Sequence, residues 1–197
     1  DRIDLYYAHQ DDPDVPLSDT VTAFDALVRA GKVRHLAASN FTAQRLRESV
    51  ELARREHLAA YAAVQDQYNL MERQQYEAEL APVVAQFDLA SFPYYALARG
   101  FLTGKYASSP AVDSPRAEVA STYLGPRGDR VLATLSAIAA THAVPPAAVA
   151  LAWLLAKPGV TAPLASARNV RQLVDLLPAG RLSLTGEDLA RLDSASS

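Results

Sequence analysis

Apolar and polar positions along the chain fall into two alternating kinds of segment. Short apolar runs, from Ile3 to Ala8, Val33 to Ala38, Tyr61 to Gln65, Asp88 to Tyr94 and Gly159 to Leu164, read as five strands. Between them lie amphipathic stretches at helical spacing, Thr20 to Arg29, Ala43 to Arg55 and Arg73 to Phe87. Successive strand starts lie about 30 residues apart, the size of a βα unit, and this alternation predicts an α/β fold with a parallel sheet and right-handed crossovers. Before the fifth strand comes a longer excursion: a polar Ser/Pro-containing loop from Ala107 to Arg127, a helix from Gly128 to Thr141, and a helix opened by Pro145-Pro146 that runs to Ala156. Gly31 stands in the place of a left-handed cap after the first helix, and Lys157-Pro158-Gly159 ends the helix before the last strand. Thr185, with Asp188 three residues on, predicts a capped tail helix to Leu192. The Ala-rich helices are expected to pack closely against a sheet.

Composition narrows the class of protein. The chain has 197 residues, 50% hydrophobic and 21% charged, which suffices for one globular domain spanning residues 1–197 without disulfides or a structural metal. A net charge of -3, with Arg interspersed among Asp and Glu, argues against nucleic acid or an anionic membrane as partner. Cys is absent, which excludes a disulfide framework, a thiolate zinc site and a cysteine nucleophile, and points to a cytoplasmic location. No run approaches the ~18 apolar residues of a membrane helix. The sequence opens at Asp1 directly in a strand pattern, with no initiator Met, and is expected to be a piece of a longer chain.

In parallel α/β folds ligands lie beyond the carboxyl ends of the strands, so the residues that follow each apolar run are the ones to inspect. They are His9-Gln10-Asp11-Asp12, Ser39-Asn40-Phe41, Gln65-Asp66-Gln67-Tyr68-Asn69, Tyr94-Tyr95-Ala96-Leu97 and Ala165-Ser166-Ala167-Arg168. Each also has an ordinary structural reading. His9 suits a hydrogen-bonded strand end, Ser39-Asn40 a cap for the next helix, and Gln65 to Asn69 a polar turn. Tyr94 and Tyr95 suit buried aromatics and Arg168 a solvated surface.

Taken together, these residues carry a resemblance. Asp4-Leu5-Tyr6-Tyr7-Ala8-His9, followed by Gly31-Lys32-Val33-Arg34 and Ser39-Asn40-Phe41, looks like the second half of an aldo-keto reductase. The run Pro93-Tyr94-Tyr95-Ala96-Leu97-Ala98-Arg99-Gly100-Phe101-Leu102-Thr103-Gly104-Lys105-Tyr106 is similar to that family's loop after strand seven, and Gln172 to Asp175 resembles its adenosine-phosphate segment. The resemblance implies a (β/α)8 TIM barrel of which this chain supplies strands four to eight, and NADPH-dependent reduction of a small aldehyde or ketone. By the same resemblance His9 is the catalytic histidine that hydrogen-bonds the substrate carbonyl oxygen, where negative charge develops. Ser39, Asn40 and Gln65 are the clamp on the nicotinamide carboxamide, and Tyr94 is the aromatic that stacks on the nicotinamide ring. Leu97, Gly100 and Lys105 fall in the loop that crosses the pyrophosphate. Arg168 addresses the 2′-phosphate, with Gln172 and Asp175 at the adenosine end.

Departures from the family pattern matter as well. The family's proton-donor Tyr, its Lys and its Asp lie on earlier strands, and no segment of this sequence aligns with them. Tyr7 shares a strand face with His9, but a layer below the site. Tyr95 stands where Ser is common, and Leu176 where Asn often binds adenine. Two readings therefore remain: a reductase whose proton-donor region lies outside this sequence, with the 197 residues alone inactive, or a non-catalytic, reductase-like nucleotide-binding or scaffolding protein. Neither the particular substrate nor the oligomeric state is specified by the sequence.

Overall fold

The computed structural model describes residues 1–105 and 121–197. Tyr106 and the polar loop from Ala107 as far as residue 120 lie outside the described residues. The chain divides into two compact units, Asp1–Asp66 with Gln74–Phe92, and Gln67–Arg73 with Pro93–Ser197.

The first unit is built on a parallel sheet in the order β1-β2-β3-β4, with β1 at Ile3–Ala8, β2 at Val33–Ser39, β3 at Tyr61–Gln65 and β4 at Ala90–Ser91. Ala8 sits opposite Ala38, and Ser39 opposite Gln65, so the carboxyl ends of β1, β2 and β3 meet at one edge. The register shifts between Leu36 and Ala37, where β3 spends an extra residue. Leu36, Ala37 and Ala38 are each at most 2% exposed, which marks β2 as the buried centre of the sheet. Helices α1 (Leu17–Arg29), α2 (Ala43–Arg55) and α3 (Ala81–Phe87) follow β1, β2 and β3. In α2 the buried positions Leu46, Ser49, Val50 and Ala53 recur at helical spacing. The Ser49 hydroxyl meets its burial by donating to the Arg45 carbonyl at 2.8 Å.

Two expectations are corrected in detail. The continuous helix expected from Arg73 to Phe87 is interrupted by a π-helical turn at Tyr76–Leu80. Pro82, in the first turn of α3, has no N–H to donate, and the Ala81 N–H reaches back five residues to the Tyr76 carbonyl. The fourth strand is two residues long rather than seven, because the left-handed Asp88 (φ 55°) precedes it and Pro93, which cannot donate to a ladder, follows it.

The second unit is helical: α4 (Pro126–His142), α5 (Pro146–Leu155), α6 (Val170–Leu176) and α7 (Gly186–Ala195), with a tight 3-10 segment at Ala98–Thr103. Of the fifth strand expected at Gly159 to Leu164 only a single bridge residue, Val160, forms. Pro158 precedes it and Pro163 falls within it, the Val160 N–H turns back to the Lys157 carbonyl at 3.2 Å, and the Leu164 N–H bonds the Pro93 carbonyl at 2.8 Å. Helix α5 is apolar all round, with Ala147 to Leu154 buried without a gap, so it is the core of this unit rather than its skin. It packs on α4, α6 and the 3-10 segment, where small Ala side chains allow close approach. The tail helix is capped as expected: Thr185 and Asp188 form a reciprocal capping box.

Trp153, on α5 and fully buried, donates its indole N–H to Asp193 Oδ1 of α7 at 2.8 Å. The Lys157 ammonium lies 2.8 and 2.9 Å from the two carboxylate oxygens, and Arg73 Nη1 lies 3.2 Å from Oδ1. Burial alone would lift the Asp193 pKa, but the hydrogen bonds from Lys157 and Trp153 and the nearby cations outweigh it and hold the group below the ordinary 3.8. Its stabilisation is therefore present above that value and is lost as pH falls through the folded-state pKa. Asp193→Ala, which strands an indole N–H and an ammonium together, is expected to cost about 2 to 3 kcal/mol. Urea unfolding at pH 7 checks the loss, and the difference from the parent should shrink as the pH is taken below 4.

Candidate active site

At the carboxyl edge of the first unit's sheet, four of the predicted site residues are joined by hydrogen bonds. Ser39, the last residue of β2 and only 4% exposed, donates from its hydroxyl to the Gln65 carbonyl at 2.6 Å. Asn40 follows it with φ 57°, in the left-handed region. Its side-chain amide donates to the His9 carbonyl at 2.8 Å and to Ser39 Oγ at 3.0 Å. His9 itself stands exposed one residue past β1, its ring uncommitted to the sheet. Tyr7 lies two residues before it within β1, half-buried.

The ordinary reading of Ser39-Asn40 as a helix cap does not hold. Thr42 caps α2, its hydroxyl accepting from the Arg45 N–H at 3.2 Å, which leaves the Asn40 side chain to bridge strand ends. A salt bridge from Arg45 to Asp11, with Nε at 2.7 Å and Nη2 at 2.8 Å, ties the start of α2 to the segment after His9.

Asp66 is the residue that sequence reasoning passed over. Its carboxylate accepts the Asn40 backbone N–H at 3.0 Å. Burial pushes its pKa up to about 6 from the ordinary 3.8, with the Asn40 N–H pulling the other way. The sequence held one signal, an acidic residue directly after a strand, but the partner it serves is set by a backbone conformation at Asn40.

The second unit carries the other predicted residues. Tyr94 is half-buried, forms an isolated parallel bridge with Gln67, and meets the Tyr95 ring edge-on at 4.9 Å between centroids. The chain beyond it turns through a series of left-handed residues, Tyr95 (φ 50°), Ala98 (φ 46°), Arg99 (φ 57°) and Gly100 (φ 97°). Only Gly100 adopts this region at no steric cost; the three side-chain-bearing residues each store strain of about 1 kcal/mol or more. Asn69, fully buried, holds the turn by donating to the Tyr95 carbonyl at 3.0 Å while its side-chain oxygen accepts the Met71 and Glu72 N–H groups. Leu97 opens the segment, and its carbonyl accepts from the Gly100 N–H at 2.8 Å. Lys105 is exposed just beyond it.

Arg99 was not singled out from the sequence either. Its guanidinium lies 3.9 Å from the Tyr95 ring centroid, and its buried Nε has no hydrogen-bond partner. Arg168 is exposed before α6, with its backbone N–H held by the Gln172 side chain at 2.8 Å. Asn169 caps α6 by accepting the Gln172 N–H at 3.0 Å. Asp175 is half-buried on the same short helix. The structure thus brings His9, Ser39, Asn40 and Gln65 into one network, joins Leu97 to Gly100, and joins Arg168 to Gln172.

The model of the aldo/keto reductase family matches this chain over residues 1–197. The chain belongs to the aldo/keto reductase family. Among relatives of this reductase-family chain, the uncharacterized oxidoreductase YrpG of Bacillus subtilis is 32% identical over 199 residues, covering 98% of this chain and 58% of its own length. A Schizosaccharomyces pombe protein named as a candidate voltage-gated potassium channel subunit beta is 30% identical over 200 residues, covering 97% of this chain and 58% of its own. The crystal structure of a thermostable aldo-keto reductase with the inhibitor epalrestat superposes with a TM-score of 0.78 at 27% identity, covering 99% of this chain and 60% of that one. The chain therefore spans less than two thirds of the length of these relatives. The α/β class and the parallel strand order agree with part of the family's (β/α)8 barrel. Among the described residues no single helix is long and apolar enough to cross a membrane.

A stability test follows from Asp66. Because its folded-state pKa lies above 3.8, the folded chain binds a proton between pH about 4 and about 6 that the unfolded chain does not. The group's contribution to stability therefore falls as pH rises through that window and stays low at pH 7. Asp66→Asn is expected to raise stability at pH 7 by about 1 to 2 kcal/mol, each pKa unit being worth roughly 1.4. Thermal unfolding should show the gain at pH 7 and its disappearance near pH 4.

Proposed function

We propose that this chain forms part of an NADPH-dependent oxidoreductase that reduces a small aldehyde or ketone to an alcohol. The observation that carries the reading is the hydrogen-bonded cluster of Ser39, Asn40 and Gln65 at the strand ends, with His9 exposed beside it. Family membership and the likeness to a solved aldo-keto reductase support it.

The donor set suits a dinucleotide. Amide and hydroxyl groups at the strand ends can pair with a carboxamide, which needs both a donor and an acceptor. In the second unit a turn that contains a cation with an unpartnered buried Nε, followed by Lys105, and a separate exposed Arg168, suits phosphates. When bound, the reduced nicotinamide supplies the hydride. Ser39, Asn40 and Gln65 would hold the carboxamide, and Tyr94 would offer an aromatic face to the nicotinamide. Leu97, Gly100 and Lys105 would hold the pyrophosphate, and Arg168, Gln172 and Asp175 the adenosine end. His9 donates a hydrogen bond to the substrate carbonyl oxygen, where negative charge grows as the carbon is reduced. The alkoxide then needs a proton, and without a general acid that step is typically 10²- to 10⁴-fold slower.

A second reading, a nucleotide-binding protein without turnover that acts as a scaffold, draws on the relative named for a channel subunit. The two readings part on turnover: both bind NADPH, and only the first oxidises it with a carbonyl acceptor.

Arg168→Ala should weaken NADPH by about 10- to 100-fold, the worth of a charge-assisted pairing with phosphate, and leave NADH nearly unchanged. Fluorescence titration with both cofactors measures this, and an equal loss for the two would remove Arg168 from the 2′-phosphate. His9→Ala, in the protein that carries this chain, should lower kcat/KM for carbonyl reduction while NADPH affinity stays within about twofold. Parallel loss of cofactor affinity would reassign His9 to cofactor positioning or folding.

A further inference from the structure

Asn40 stands exposed just past the carboxyl end of β2 in a left-handed conformation, with φ 57°. Asn tolerates that region better than other side-chain-bearing residues, yet the conformation still carries a steric cost, and an exposed residue relaxes out of it unless something holds it. With the backbone turned this way, its side-chain amide reaches the His9 carbonyl and Ser39 Oγ. Another bond, from the backbone N–H to the Asp66 carboxylate at 3.0 Å, acts on the backbone itself.

Helix capping does not account for this contact, since Thr42 performs that task for α2. Nor does stability favour keeping a half-buried acid here: burial lifts its pKa, so its charge is held at a cost at neutral pH. A group that opposes stability and grips one backbone N–H of the proposed clamp has a positional use.

We propose that Asp66 is a positioning residue for the nicotinamide-amide clamp: by accepting the Asn40 N–H it holds Asn40 left-handed, and so keeps the Asn40 and Ser39 side chains aimed for the carboxamide. The proposal rests on the cofactor reading given above. It differs from the family's clamp residues in that Asp66 touches the backbone of Asn40, not the cofactor. An acceptor is what the role requires. Asp66→Asn, whose side-chain oxygen can still accept, should therefore preserve it, and Asp66→Ala should not.

The test uses two ligands and one cofactor-free measurement on the protein that carries this chain. NADPH reads both ends of the site, whereas adenosine 2′,5′-bisphosphate reads the adenosine end alone. Asp66→Ala is expected to weaken NADPH about tenfold and leave the bisphosphate unchanged, while Asp66→Asn stays within about threefold of the parent for both. Without any ligand, the Asn40 amide should exchange its hydrogen at least about tenfold faster in Asp66→Ala than in the parent, and near the parent rate in Asp66→Asn. Unchanged NADPH affinity in Asp66→Ala overturns the proposal. Equal loss for both ligands overturns it too, by making Asp66 a general structural residue. An Asp66→Asn protein as weak as Asp66→Ala overturns it by showing that charge, not acceptor geometry, is what acts. If Asp66→Ala fails to fold, the Asp66→Asn titration and exchange rates still decide. Failure of the parent protein to bind either ligand is a distinct result: it removes the cofactor reading, and this proposal with it, while the Asn40 exchange rates would still report whether Asp66 holds the backbone.

Discussion

Parallel pairing in register is the constraint on which the first unit and its site depend. Side chains alternate faces along a strand, so a slip of one residue would turn Ser39 or Gln65 to the opposite side. With Ser39 opposite Gln65 and Ala8 opposite Ala38, the residues that leave β1, β2 and β3 emerge side by side. The single register shift near Leu36 lies behind this edge and does not disturb it. From that alignment the rest follows locally: the Ser39 hydroxyl reaches the carbonyl of its own cross-strand partner, and the Asn40 amide spans to the end of β1.

The second unit solves a different problem by different means. It has no sheet of its own among the described residues, so it buries a wholly apolar helix among others and places its polar groups where they can be answered. Asn69 shows this economy of partners, with one buried side chain serving a carbonyl and two N–H groups and so fixing the strained turn at Tyr95. Strain in side-chain-bearing residues persists only when neighbours over-determine it. The turn from Tyr95 to Gly100 has that character.

Much of this was readable in the residues themselves. Helix α2 and strand β3 begin and end where the pattern places them: polar residues flank α2 on both sides, and Asp66 ends the apolar run of β3. The box of Thr185 and Asp188 is a local device and was equally plain. Where expectation failed, proline was the usual cause: Pro82 widens a helix, Pro93 shortens a strand, and Pro163 prevents one, although apolar periodicity continues through all three. The grouping of His9, Ser39, Asn40 and Gln65 was visible through their places after successive strands. The part played by Asp66 was not, since it depends on the φ of a residue 26 positions away. The left-handed run of Tyr95, Ala98 and Arg99 was equally hidden, because none of those residue types announces such a conformation.

Trp153 is the only tryptophan in the sequence, and it sits fully buried with its indole N–H on Asp193 and the cations of Arg73 and Lys157 at 5.2 and 4.6 Å from its ring. This sequence thus carries a single indole reporter, placed in the helical unit. Its emission senses whether α5, α7 and the Arg73 segment remain assembled, while backbone circular dichroism sums both units. Coincidence of the two signals during denaturation is the ordinary criterion for a single cooperative transition. Here the lone indole makes that criterion a direct measure of whether sheet and helices melt as one.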